Sequence, residues 1–170
     1  MKHEFYPKLI LDSVKDITYE LLTSNNIKGL ILDIDNTLVP NHVAEADEST
    51  LRWIEKMKAS GLKLCIVSNA ARKRVIRFND KLSLDAVHRA FKPRTGAFEK
   101  AQRIMGLESH DIAVIGDQIF TDIYGGNKAG MFTILVKPID RREGIFVRLK
   151  RFPEKRILDD YRKKAGDNKN

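Results

Sequence analysis

The chain predicts a single three-layer α/β domain built on a parallel sheet. Three observations lead there. Its 170 residues suit one domain with room for a sizeable core. Short continuous apolar runs recur between segments whose apolar residues fall at helical spacing. That alternation argues for right-handed βαβ units, with helices on both faces of the sheet.

Taken in order, residues 1–28 hold two apolar stretches, 5–14 and 17–22, which read as a helical prelude packed on the sheet. The run 29–34 reads as a buried strand. Residues 49–58 have helical spacing, with Ser49 or Thr50 as N-cap and Gly61 as stop. A second buried strand covers 62–67, then a basic helix 71–81, a short strand 86–91 and a helix 96–105 stopped by Gly106. Residues 112–116 form another strand, 121–129 a helix weakened by Gly125-Gly126, and 131–136 the last strand before Pro138. The resulting division is a prelude over 1–28, a core over 29–138 and a basic segment over 139–170, fraying after Tyr161.

Composition sets the class. Hydrophobic content of 42% and charged content of 32% describe a globular protein. No window reaches the length of a transmembrane helix, the N-terminus has no signal-peptide core, and Cys65 is the one cysteine, placed inside an apolar run. A cytoplasmic protein with a buried thiol is the expectation. Of the net charge of +8, residues 140–170 contribute +5.

Asp33 and Asp35 stand two apart at the end of the first buried run. In an extended segment their side chains leave the backbone on one face. Carboxylates that close repel unless a cation or a shared proton lies between them. A hard divalent ion such as Mg²⁺ suits such oxygen ligands and commonly accompanies phosphate. Alone, D-x-D-x-T is equally an ordinary turn after a strand. Its company decides. Ser68 and Asn69 follow the second run, Lys92 follows 86–91, and Asp117 follows 112–116. In a parallel sheet these clusters meet beyond the carboxyl ends of the strands, where such sheets hold ligands.

Asp33-Ile34-Asp35-Asn36-Thr37, Ser68, Lys92 and Gly116-Asp117-Gln118-Ile119-Phe120-Thr121-Asp122 together resemble the haloacid dehalogenase-like (HAD) phosphohydrolases, in the family's order and over residues 29 to about 136. The resemblance implies a Rossmann-like core and hydrolysis of a phosphate monoester through an aspartyl-phosphate. It makes Asp33 the nucleophile and Asp35 the general acid and then base. The Asp33 carboxylate, the Asp35 carbonyl and the Asp117 carboxylate would hold Mg²⁺. Thr37, Ser68 and the Asn69 amide would bond the phosphoryl oxygens, Lys92 would offset transition-state charge, and Asp122 would orient Lys92 or a metal-bound water.

The spacings 35–68 and 68–92 leave no room for a cap domain, so an open crevice and a phosphate carried on a large or membrane-borne molecule are expected. Phe5-Tyr6-Pro7, Ile27-Lys28-Gly29 and Tyr124-Gly125-Gly126-Asn127 look like the YqeG branch, which is similar to the mitochondrial phosphatidylglycerophosphate phosphatases of fungi and plants. That resemblance implies conversion of phosphatidylglycerophosphate to phosphatidylglycerol. The rivals are a soluble phosphate, nucleotide or phosphoprotein substrate, and a catalytically silent binding module. The interleaved apolar and basic residues of 145–152 fit either a peripheral contact with anionic membrane or a helix covering the sheet edge. They lack the interleaved aromatics of a nucleic-acid surface. His42, His88 and His110 have no ligand spacing for zinc, Trp53 reads as core, and Arg72, Lys73, Arg74 and Arg77 read as a solvated helix face.

Overall fold

A computed structural model describes residues 2–41, 43–140 and 145–167; His42 and the side chains of 145–152, on which the tail reading rested, lie outside the described residues. Six strands form one parallel sheet: β1 (Leu9–Leu11), β2 (Gly29–Leu32), β3 (Lys63–Val67), β4 (Asp85–Val87), β5 (Ile112–Gly116) and β6 (Phe132–Val136). Their order is β1-β6-β5-β2-β3-β4. Strand β2 is central, every residue buried, with Leu32 level with Ile66 of β3 and Ile115 of β5. From β2 the chain builds first toward β3 and later toward β5. The direction of winding therefore reverses at β2, the position where open α/β sheets leave a crevice.

Side chains of successive strand residues point to opposite faces, and the core divides accordingly. On one face Leu30, Leu32, Leu64, Ile66 and Ile115 pack with Leu22 of α1 (Tyr19–Ser24), Trp53, Ile54 and Met57 of α2 (Glu48–Ala59), and Val75 and Phe78 of α3 (Arg72–Asn79). On the other, Ile31, Cys65, Val67 and Val114 pack with Ala97, Phe98, Ala101 and Met105 of α4 (Gly96–Met105). Trp53 is core, as expected, and its indole N–H donates to the Ile17 carbonyl at 2.9 Å. Helix α5 (Tyr124–Lys128) lies so close to the second face that a methyl at Gly126 would stand 2.8 Å from Thr133.

Several local expectations are corrected. The prelude is not all helix: Leu9–Leu11 is an edge strand beside β6, with Leu9 opposite Ile134, and Lys8 N–H donates to Thr133 at 2.9 Å. Asp47 rather than Ser49 or Thr50 caps α2, accepting from the Thr50 N–H at 2.7 Å. A short carboxylate acceptor two residues before Ser49 leaves Ser49 free to donate to the same cap. The strand expected over 86–91 stops at Val87, and Arg89 and Phe91 take positive φ of 47° and 52° as the chain doubles back. After Asp117 a π-helical turn, Ile119–Ile123, precedes α5. The last helix, α6 (Ile145–Asp167), continues past Tyr161, held on the N-terminal segment by Tyr6 Oη donating to Asp160 at 2.5 Å. Among the described residues no helix is long and apolar enough to cross a membrane.

Candidate active site

Because β2 and β5 are neighbours in register, the residues that follow them arrive together. Asp33 donates its N–H to the Ile115 carbonyl at 3.1 Å, and Asp117 follows Gly116 at the end of β5. Carboxylate oxygens of Asp33, Asp117 and Asp122 lie within 4.8 Å of one another, and all three residues are buried. Lys92 enters from the loop after β4 with its side chain 3% exposed. Its ammonium donates to Asp33 Oδ1 at 2.8 Å, Asp122 Oδ1 at 2.6 Å and the Val67 carbonyl at 3.0 Å. All three donors of a lysine are thereby used, which fixes the charge in space.

Three carboxylates gather around one ammonium that is bonded to two of them. Burial pushes the Asp33 carboxyl well above its usual range; Lys92 pulls it down, and Asp122 and Asp117 raise it again. Burial alone would lower Lys92, yet Asp122 and Asp33 outweigh it and hold the ammonium above its ordinary value. The nest carries surplus negative charge among hard oxygen donors. That is the donor set of a divalent cation, and a cation of that charge relieves the surplus.

Gly116 makes the nest possible: a methyl there would meet Asp122 Cγ at 2.2 Å. Asp122 Oδ2 in turn accepts from the Gln118 N–H at 3.2 Å and the Thr121 hydroxyl at 3.3 Å, closing the loop on itself. Thr37 donates toward Asp117 Oδ1 at 3.4 Å. Ser68 is buried and its hydroxyl accepts from the Ala70 N–H at 3.1 Å. Asn69 is turned to the backbone of Lys92, accepting from its N–H at 2.7 Å and donating to its carbonyl at 3.4 Å. It thus sets the position of the lysine.

Asp35 goes elsewhere. Asn36 adopts φ 61° and the Leu38 N–H returns to the Ile34 carbonyl, so the chain curls instead of staying extended. The Asp35 carboxylate, which simple alternation put beside Asp33, is not part of the three-carboxylate group. It accepts from Arg74 Nη2 at 3.0 Å, while Arg74 Nη1 donates to the Ala44 carbonyl at 3.1 Å. Arg74 is therefore no solvated charge. A ring four residues on, Phe78, beneath its guanidinium at 5.6 Å, is the one trace of this in the sequence.

Glu154 was also missed. Carried on α6 and 3% exposed, it accepts from the Ile119 N–H at 2.9 Å and the Phe120 N–H at 3.5 Å, just after Asp117. An acid directly after Pro153 in a basic stretch is the available signal. Beside it a groove of about 270 Å³ opens at Asp117. Ile10, Leu135, Val136 and Leu158 form its wall, with Lys137 and Arg162 among its lining.

Residues 1–140 match the family model described as mitochondrial PGP phosphatase. The chain is 40% identical over 165 residues to the probable phosphatase YqeG of Bacillus subtilis (strain 168), covering 97% of this chain and 96% of that one. It is 32% identical over 148 residues to phosphatidylglycerophosphate phosphatase 1, chloroplastic/mitochondrial, of Arabidopsis thaliana, covering 79% of this chain and 42% of that protein. Among solved structures, an uncharacterized protein from Listeria monocytogenes serotype 4b superposes with a TM-score of 0.55 at 21% identity, over 69% of this chain and 85% of that one. The cobalt-bound deoxy-D-mannose-octulosonate 8-phosphate phosphatase of Haemophilus influenzae superposes with a TM-score of 0.50 at 17% identity, over 55% and 60%. The structural matches speak to the fold.

Proposed function

The chain belongs to the mitochondrial PGP phosphatase family of HAD phosphatases, and from that premise we propose that it hydrolyses phosphatidylglycerophosphate to phosphatidylglycerol through an aspartyl-phosphate on Asp33. The observation that carries the mechanism is the buried Asp33–Lys92–Asp122 chain beside Asp117, at the point where the sheet reverses its winding.

Asp33 attacks phosphorus, forming the Asp33 O–P bond as the ester P–O bond breaks. Asp35, which takes up a proton from water on leaving Arg74, gives that proton to the departing alcohol oxygen. It then takes a proton from the water that attacks the acyl-phosphate, releasing inorganic phosphate and restoring the Asp33 carboxylate. Asp35 begins in its pair with Arg74, side chains 32% and 21% exposed. Partly solvated pairs contribute only about 0–1 kcal/mol, so the Asp35 side chain leaves Arg74 at small cost and reaches the ester oxygen in its protonated form. Lys92 stands where negative charge spreads outward in the transition state, and Asp122 and Asn69 keep it there. Thr37, Ser68 and the Asn69 backbone amide bond the phosphoryl oxygens. Asp33, the Asp35 carbonyl and Asp117 would hold Mg²⁺, which supplies offsetting charge between the anionic nucleophile and the phosphate.

The apolar groove opening at Asp117, with cations among its lining, supports an ester that carries a lipid portion. The test is phosphate release from phosphatidylglycerophosphate in mixed micelles, beside a panel of soluble phosphate esters, with Asp33→Asn and metal-free controls. Turnover concentrated on the lipid and lost in both controls is expected. Turnover confined to soluble esters would remove the lipid assignment. Activity surviving in Asp33→Asn would remove the nucleophile.

A further inference from the structure

The most exposed large apolar side chain among the described residues is Phe91, 67% exposed, one position before Lys92. It also adopts φ 52°, and Arg89 nearby adopts φ 47°. Left-handed backbone is unfavourable for a bulky side chain, and an aromatic ring held in water gains the fold nothing. Both features coincide where the 88–91 loop is fastened to the catalytic segment, with the Arg89 N–H on Ala70 and the Ala90 N–H on Ser68, each at 3.0 Å. The ring is thus held out in water one residue before Lys92.

Arg89 of the same loop meets the outer face of α3. Val75 and Phe78 are buried, whereas Ile76 is 50% exposed among Arg72, Lys73 and Arg77. Arg72, Lys73, Ile76, Arg77 and Arg89 line a shallow hollow of about 530 Å³. Among the described residues, Arg72, Lys73 and Arg89 have no carboxylate at ion-pair distance. Residues 68–94 carry eight Lys and Arg against two Asp, a balance of +6 that exceeds that of the C-terminal segment. The described part of α6 is moreover docked, through Glu154 and Asp160.

We infer that the outer face of α3 and the 88–91 loop form the surface on which the protein sits on an anionic lipid bilayer. Phe91 and Ile76 enter the headgroup region, and Arg72, Lys73, Arg77 and Arg89 face lipid phosphates, so that the crevice opens onto the plane of the membrane. The pairing of isolated apolar side chains with cations selects this partner. A nucleic acid would stack on Phe91 but find nothing in Ile76. The inference rests on the reading that the substrate is bilayer-borne, and binding is measured apart from turnover so that the two can fail separately.

The experiment is flotation of the full chain with phosphatidylcholine vesicles, with and without phosphatidylglycerol, for the parent, Phe91→Ser/Ile76→Ser, Lys73→Glu/Arg77→Glu and a tail control, Lys155→Glu/Arg156→Glu. The parent should float with the anionic vesicles alone. Both face variants should lose at least about tenfold in partitioning while keeping soluble-ester turnover, and the tail control should match the parent. Face variants that float like the parent, loss confined to the tail control, or patch-dependent binding to single-stranded RNA instead of vesicles would each overturn the surface. A parent that ignores vesicles yet hydrolyses the lipid in micelles would overturn the surface and leave the substrate reading standing. Patch-dependent flotation with hydrolysis of soluble esters alone would do the reverse.

Discussion

Replacing Glu154 tests whether the last helix is part of the catalytic apparatus. Its carboxylate lies 2.9 Å from the Ile119 nitrogen and 3.5 Å from that of Phe120. A charge-assisted hydrogen bond of the first length contributes about 1.5–3 kcal/mol, and the longer contact adds little. Glu154→Ala removes the bond and leaves a buried N–H without this acceptor, a loss of about 2–3 kcal/mol. Glu154→Gln keeps a neutral acceptor and should lose about 1 kcal/mol. In a chain of 170 residues each kcal/mol moves the melting temperature by about 2–4 °C. Calorimetry should therefore give a fall of roughly 4–12 °C for alanine and 2–4 °C for glutamine. The same loop carries Asp117 and Asp122, so the Mg²⁺ concentration giving half-maximal turnover should rise in alanine more than in glutamine. An alanine variant that melts within about 1 °C of the parent, with unchanged Mg²⁺ dependence, would refute the idea that α6 holds this loop.

Two further outcomes follow from local geometry. Gly116→Ala would push a methyl into Asp122 and displace it from Lys92, so melting should fall by an overpacking cost of about 1–3 kcal/mol with turnover lost in step; parental turnover would show that Asp122 has room to move. Asp47→Ala should cost about 1 kcal/mol as a lost helix cap. Hydrogen bonds from Thr50, followed by that from Ser49, hold the Asp47 carboxyl down at about 2. A carboxyl depressed in the folded state stabilises above its unfolded pKa and loses that contribution as pH falls through the folded one. Urea midpoints of parent and variant should therefore differ at neutral pH and converge between about pH 4 and pH 2; a gap that widens in acid would contradict this.

What the sequence made legible was chemistry attached to strand ends. The structure brings Asp33, Lys92, Asp117 and Asp122 together, because residue type and a parallel sheet dictate where such side chains meet. The curl at Asn36 was not legible. Period-two alternation holds while the backbone stays extended, and one residue at positive φ was enough to send Asp35 to Arg74. Nor could four neighbouring cations on α3 be ranked. Which one reaches a carboxylate depends on how the helix sits on the sheet, and that is settled by Val75 and Phe78 against β-strand side chains far along the chain. Glu154 and β1 share the same difficulty. Their partners lie 35 and 125 residues away, and neither a single acid nor three apolar residues has a periodicity to read.

The pairing of β1 with β6 also sets an order of events during synthesis. At about 5–20 residues per second, Leu9 is made roughly 6–25 s before Ile134, the residue it lies against. Every carboxylate of the nest has been added by Asp122, while β5 still ends the sheet as an open edge and the first strand has nothing to pair with. A chain released at that moment carries all three carboxylates of the nest on a sheet ready to join a neighbour's. Truncation late in the sequence should therefore surface first as aggregation, and translational pausing just before β6 as a demand on chaperones.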